Sequence, residues 1–202
     1  MLNSIILIIA SYLIGSFPSG LVIGKLFYKT DIREHGSGNL GGTNAIRVLG
    51  KKGGGSVMVL DILKGGIATL LAMHFGSELH PLIIAIFSVV GHIYPIFAGF
   101  RGGKAVATAG GIILFFSPVL FITLFIIFVI TLATTKIMSI ASSTIATFAF
   151  IIIWTNPYAN PNYDQIARIM FTILPAIVII KHIPNYKRIL NGTEPKITNK
   201  KD

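Results

Sequence analysis

The chain has 202 residues, 53% of them hydrophobic and 12% charged, with a formal net charge of +10 and a mean hydropathy of +0.78. Soluble domains carry about a quarter charged residues, so this composition excludes an ordinary soluble enzyme and indicates an integral membrane protein. The lysines and arginines are distributed as a membrane protein distributes them, which argues against nucleic acid as a partner, and the absence of cysteine excludes disulfides and thiolate chemistry.

Stretches without Lys, Arg, Asp or Glu cover 1–24, 79–100, 105–135 and 137–163, each long enough for the roughly 20 residues that cross a hydrocarbon core. The first lacks a basic n-region and ends at Lys25 instead of a small-residue cleavage site, so it reads as a span and not a signal peptide. Basic residues gather at Lys25, Lys29, Arg33, Arg47, Lys51 and Lys52, at Arg101 and Lys104, and in a tail from Lys181 to Lys201; 76–81 and 155–163 have none. Cytoplasmic loops collect Lys and Arg, which puts the basic segments inside and the two bare loops outside. That arrangement holds only if 105–135 is divided at Ser117 and Pro118, where proline cannot continue a helical ladder.

The expected fold is therefore all-α and membrane-integral. Seven transmembrane helices are predicted near 3–24, 54–75, 79–98, 104–116, 118–134, 138–154 and 165–181, with the N-terminus outside and the C-terminus cytoplasmic. The fourth is short, about 20 Å at ~1.5 Å per residue. Trp154, Tyr158 and Tyr163 suit an outer aromatic belt. Without a repeat or linker, 1–202 reads as a single polytopic domain with a polar tail at 191–202.

Two polar segments interrupt this apolar chain. Residues 36–55 contain eight glycines, a number that implies close backbone approach or positive φ. Gly36-Ser37-Gly38-Asn39-Leu40-Gly41 matches G-x-G-x-x-G, but no buried strand precedes it, and Gly41-Gly42-Thr43 lacks the lysine of a Walker loop. What remains is a candidate anion nest of backbone N–H groups, with Ser37, Thr43 and Asn44 as added donors; a capped interfacial loop is the plainer reading. The second segment, Gly99-Phe100-Arg101-Gly102-Gly103-Lys104, opens the fourth helix, where free N–H groups and a cation make an anion site. Snorkelling anchors would explain the cations alone.

A third segment, Lys181-His182-Ile183-Pro184-Asn185, supplies the histidine best placed for proton transfer at the inner face. His92 reads as a packing residue inside helix three, and His35 as a cap. Asp61 and Lys64 are ionisable groups inside helix two, and their i,i+3 spacing favours a structural ion pair. Asp164 and Arg168 invite the same reading. No carboxylates or histidines stand at metal-ligand spacing among the inner-face segments, so neither a metal nor another cofactor is expected.

Three ordered motifs then carry a resemblance. Ser37-Gly38-Asn39-Leu40-Gly41-Gly42-Thr43-Asn44 with Arg47, Phe100-Arg101-Gly102-Gly103-Lys104-Ala105-Val106-Ala107-Thr108, and His182, Asn185, Arg188, Gly192 and Glu194 resemble the signatures of the bacterial acyl-phosphate:glycerol-3-phosphate acyltransferases. Asp61 with Lys64 and Gly65, Gly91-His92 with Pro95, and Ser139 with Ser142 extend the likeness along the chain. The departures are Arg101 and Ala105, where the family usually has lysine and glycine, and Lys136, where arginine is frequent.

The resemblance implies transfer of a fatty acyl group from acyl phosphate to the 1-hydroxyl of glycerol 3-phosphate, giving lysophosphatidic acid and phosphate in a bacterial cytoplasmic membrane. It implies no direct use of acyl-CoA or acyl carrier protein, and the chain has no His-x-x-x-x-Asp pair. Arg47 and Lys104, with Ser142 as a weaker candidate, are expected to hold the phosphate of glycerol 3-phosphate. Gly38, Asn39, Gly41, Gly42, Thr43 and Asn44, with Gly102 and Gly103, would cradle phosphate and the developing oxyanion. Ser37 and His182 would orient the attacking hydroxyl, with Asn185 fixing the imidazole or a substrate oxygen; His182 and a substrate phosphate oxygen both stand as proton acceptors. Asp61, Lys64 and Glu194 are assigned structural roles. A transporter or channel for a phosphorylated metabolite would also want glycine-broken helices beside cations, but three motifs on one face suit it less.

Overall fold

The computed structural model describes residues 1–155 and 165–197. Every regular element among them is helical: α1 Leu2–Ser16, α2 Ser19–Tyr28, α3 Gly42–His74, α4 Pro81–Ile93, α5 Val106–Phe116, α6 Pro118–Thr135, α7 Met138–Thr155, α8 Gln165–Lys181 and α9 Ile183–Leu190, with 3₁₀ turns at Ile32–Glu34 and Ile96–Ala98. Five stretches are long and apolar enough to cross a membrane, namely Leu2–Tyr28, Gly42–His74, Pro81–Ala98, Pro118–Thr135 and Met138–Thr155. The pair α8 and α9, bent by 47°, forms a sixth if taken as one span, and α5 is a shorter apolar helix. Tyr158, Tyr163 and Asp164, singled out from the sequence, lie outside the described residues.

The helices pack as two compact units, Met1–Phe116 and a second beginning at Ser117. The break between α5 and α6 falls at Ser117 and Pro118, as the sequence predicts, with proline at the first turn of α6, where its missing N–H costs no hydrogen bond.

In the first unit, α1 packs on α4 and α3 on α5, and both contacts depend on glycine. A methyl group on Gly15 would strike the backbone of Ser88, and one on Gly91 the carbonyl of Tyr12. Gly65 lies against the carbonyl of Thr108, and Gly111 returns the contact against that of Ile62. Small residues let helix backbones touch where lipid tails offer no hydrophobic drive.

Two boundaries differ from the sequence expectation, each for a backbone reason. The first span is broken at Phe17 and Pro18, because proline cannot donate to the ladder. The second begins twelve residues before 54, at Gly42. Within α3, Gly50 stands at φ 75° and ψ −178°, a conformation open essentially to glycine alone. Thr43, Asn44 and Arg47 therefore sit on a helical segment ahead of that break and not in an open loop.

In the second unit, α7 packs against both α6 and α8. Only Leu120 and Leu124 of α6 are buried, while Val119, Ile122, Phe125, Ile126, Val129 and Ile130 are exposed, the composition of a helix surrounded by lipid. Lys136 ends α6 in the left-handed conformation at φ 59°, and its carbonyl accepts a 2.7 Å hydrogen bond from the N–H of Ile197. The segment after α9 is thereby returned to the α6–α7 turn.

Candidate active site

The first glycine segment is built on a turn. Asp31 caps the Ile32–Glu34 turn: its Oδ1 accepts from the Arg33 N–H and Nε, each at 3.0 Å, and its Oδ2 accepts from Arg33 Nη2 at 2.7 Å. These hydrogen bonds from Arg33 outweigh partial burial and hold the Asp31 carboxyl well below the usual carboxylate range. Ile32 is fully buried and anchors the turn.

Asn44 clasps the glycine loop onto this turn. Its Nδ2 donates to the carbonyls of Ile32 (2.8 Å) and His35 (3.1 Å), and its Oδ1 accepts from the N–H of Ser37 at 2.8 Å. Asn39 Oδ1 accepts from the N–H of Gly41 at 2.9 Å, and the N–H of Gly38 reaches His35 O at 3.1 Å. The side chains of Asn39 and Asn44, and the N–H groups of Gly38 and Gly41, serve the loop's own backbone. Ser37 and Arg47 are both exposed.

The second segment begins at Gly99, follows with Phe100 at φ 60°, and ends at Ala105 with φ 59°. Helix α5 begins at Val106, so Lys104 precedes the helix instead of opening it. The N–H of Gly103 donates to the carbonyl of His92 at 3.0 Å, and that of Phe100 to Pro95 at 2.9 Å. Gly102 packs against Pro95 and Gly103 against the His92 ring so closely that neither has room for a methyl group. Lys104 is half-buried.

Behind this segment lies a buried polar cluster. Lys64 Nζ is 2.8 Å from Asp61 Oδ1 and donates to the carbonyl of Phe17 at 2.9 Å and, more weakly, of Gly15 at 3.3 Å. Ser19 donates to Asp61 Oδ1. His92 Nδ1 is 3.2 Å from Lys64 Nζ and 3.1 Å from Thr108 Oγ1. Sequence reading reached the ion pair from its spacing but not Ser19 or the α1–α2 carbonyls, because those partners are about 45 residues away in the chain.

The third segment belongs to the second unit. His182 is 3% exposed, and its Nδ1 lies 2.7 Å from the carbonyl of Val178. A carbonyl can only accept, so Nδ1 carries the proton and Nε2 is the acceptor of the neutral ring. Glu194 gathers the rest: Oε1 accepts from Asn185 Nδ2 (2.6 Å) and Ser139 Oγ (2.8 Å), and Oε2 from Arg188 Nε (2.7 Å). Burial works to raise the Glu194 pKa, but these three donors together prevail and it is lowered. Asn185 Nδ2 thus ties the turn of α9 to Glu194. Ser142 donates to the carbonyl of Met138 at 2.9 Å, its proton turned into its own helix.

Apolar helices broken by glycine segments that carry exposed or half-buried cations, with a histidine of fixed tautomer beside a carboxylate-tied tail, define a multi-pass helical membrane protein equipped for polar chemistry. The chain belongs to the glycerol-3-phosphate acyltransferase family, whose model matches residues 5–192. It is 50% identical to the glycerol-3-phosphate acyltransferase of Bacillus subtilis (strain 168) over 192 residues, 95% of this chain and 96% of that one. Against the enzyme of the same name from Geobacillus kaustophilus (strain HTA426) it is 46% identical over 196 residues, 97% and 96% of the two chains. Among solved structures it resembles PlsY, an integral membrane glycerol 3-phosphate acyltransferase, in its glycerol 3-phosphate form, with a TM-score of 0.88 at 36% identity over 96% of each chain. The lysophosphatidic acid form of PlsY gives a TM-score of 0.85.

Proposed function

We propose that this chain transfers a fatty acyl group from acyl phosphate to the 1-hydroxyl of glycerol 3-phosphate. The hydroxyl oxygen bonds to the acyl carbon and the bond from that carbon to the phosphate oxygen breaks. The products are lysophosphatidic acid and inorganic phosphate. The hydroxyl proton ends on the departing phosphate, directly or by way of His182 Nε2. The family match over residues 5–192 carries the reading, and the likeness to a structure in a glycerol 3-phosphate form supports the choice of acceptor.

In this reading Arg47 and Lys104 hold the phosphate of glycerol 3-phosphate, with Ser142 as a weaker candidate for that role. Ser37 and His182 orient the hydroxyl. Thr43, Gly42, Gly102 and Gly103 line the acyl phosphate and its developing oxyanion, whose stabilisation weighs heavily in acyl transfer. An acyl phosphate is already activated, which is consistent with no acyl-CoA or acyl carrier protein being handled. Seven spans, the short α5 and α8 among them, with the N-terminus outside, would leave the basic segments and the active site on the cytoplasmic side of a bacterial cytoplasmic membrane.

The test is phosphate release from palmitoyl phosphate by purified protein, with and without glycerol 3-phosphate. Equal amounts of lysophosphatidic acid and phosphate are expected only with acceptor present. Arg47→Ala and Ser37→Ala should each lower turnover by about 100-fold or more, in line with the removal of one oriented donor. Well-folded wild type without turnover would overturn the proposal.

A further inference from the structure

We propose that Asp61, Lys64, His92 and Thr108 are positioning residues that set the location of Lys104; the inference rests on Lys104 binding the phosphate of glycerol 3-phosphate. The segment bearing Lys104 is held at both ends by one histidine. At the near end the backbone carbonyl of His92 accepts the N–H of Gly103 at 3.0 Å, and the ring lies directly against the Gly103 α-carbon. At the far end His92 Nδ1 meets Thr108 Oγ1 at 3.1 Å, in the first turn of α5. Lys104 stands between these two grips.

The ring is held in its turn from behind. Lysine carries donors only, so Lys64 makes Nδ1 of His92 an acceptor and leaves the ring proton on Nε2, the atom that faces Gly103. Asp61 fixes Lys64 at 2.8 Å. The same ammonium binds the carbonyl of Phe17 at 2.9 Å, so the cluster ties the α1–α2 break to the lysine loop. All four residues are at most 6% exposed. A buried polar network with partners on four segments holds geometry more strictly than apolar packing would. That strictness matters because a displacement of about 1 Å at a binding group can cost about 100-fold.

The experiment measures turnover of palmitoyl phosphate and glycerol 3-phosphate by the full-length protein, with KM for each substrate determined separately. Thr108→Val and His92→Gln are the variants, with thermal midpoints taken in detergent. The expected result is a KM for glycerol 3-phosphate raised about tenfold or more, a KM for palmitoyl phosphate changed less than twofold, and Thr108→Val retaining the wild-type midpoint. Thr108→Val removes one hydroxyl without changing side-chain volume and so guards against His92→Gln failing to fold. Unchanged kinetics, or a fall in kcat with both KM values unchanged, would overturn the inference while leaving the acyltransferase intact. Wild type without turnover would instead overturn the acyltransferase reading, and this inference with it.

Discussion

Ala105 is the residue at which a departure from the family pattern meets backbone physics. It adopts φ 59° with 1% of its surface exposed, at a position where the resemblance implies glycine. A left-handed conformation costs an L-residue about 1–2 kcal/mol, which alanine tolerates and a β-branched side chain does not. Ala105→Val is expected to lower the thermal midpoint in detergent by about 5 °C or more and to impair turnover, whereas Ala105→Gly should retain both. Asp31 offers a prediction in pH. Its carboxyl is held below 3.8, the value of a free one, chiefly by Arg33, so its contribution to stability is complete above about pH 5 and is lost as pH falls through and below 3.8. The difference in thermal midpoint between wild type and Asp31→Asn should therefore shrink on acidification from pH 6 to pH 3. A constant difference would contradict it.

At the same scale, residue types were more legible than residue directions. Ser37, Arg47, Lys104 and His182 stand out from their apolar surroundings in the sequence itself. Asn39 and Asn44 stand out equally, yet an asparagine that clasps its own loop is spelled like one that faces a phosphate. Only the fold reveals that Asn44, 1% exposed, serves three backbone groups. Ser19 was illegible for another reason: a serine in a hydrophobic helix ordinarily bonds its own carbonyls, and nothing local announces a carboxylate on α3.

Among the elements, the α3–α5 contact makes the strongest demand. Gly65 and Gly111 each lie against a backbone carbonyl of the other helix, so the two axes cannot approach if either carries a branched side chain. Gly111→Val is expected to abolish the purified, monodisperse protein, while Gly55→Ala, at a position with nothing within 4 Å, should be recovered at wild-type yield; size-exclusion profiles from matched cultures compare them. Hydropathy located the helices because lipid asks little else of a sequence. It missed the interruption at Pro18, since proline is tolerated within membrane helices, and the helical segment from Gly42 that precedes Gly50. The turn at Ser117 and Pro118 was legible because the distribution of basic residues demanded a turn there.

For the molecule as a whole, composition and basic-residue asymmetry were sufficient to infer a multi-pass helical protein, and three ordered motifs pointed to its family. The division into two compact units was not legible. It depends on which helices touch, and α6, hydrophobic on every side, gives no pattern from which a packing face can be read. The bend between α8 and α9 was likewise hidden, since Lys181 and His182 could as well have ended a helix as joined two.

Lys64 has a consequence for the order in which the chain can be completed during synthesis. Its ammonium bonds the carbonyls of Gly15 and Phe17 beside the Pro18 break from 49 and 47 residues downstream, while the Phe17 carbonyl also accepts from the N–H of Ser19. While the ribosome is still extending the chain toward that lysine, those carbonyls have no such partner, and hydrocarbon offers none. The first helix can enter the membrane early, but its break gains this ammonium only when the second arrives. Maturation of the amino-terminal end is thereby timed by a residue that has yet to be made.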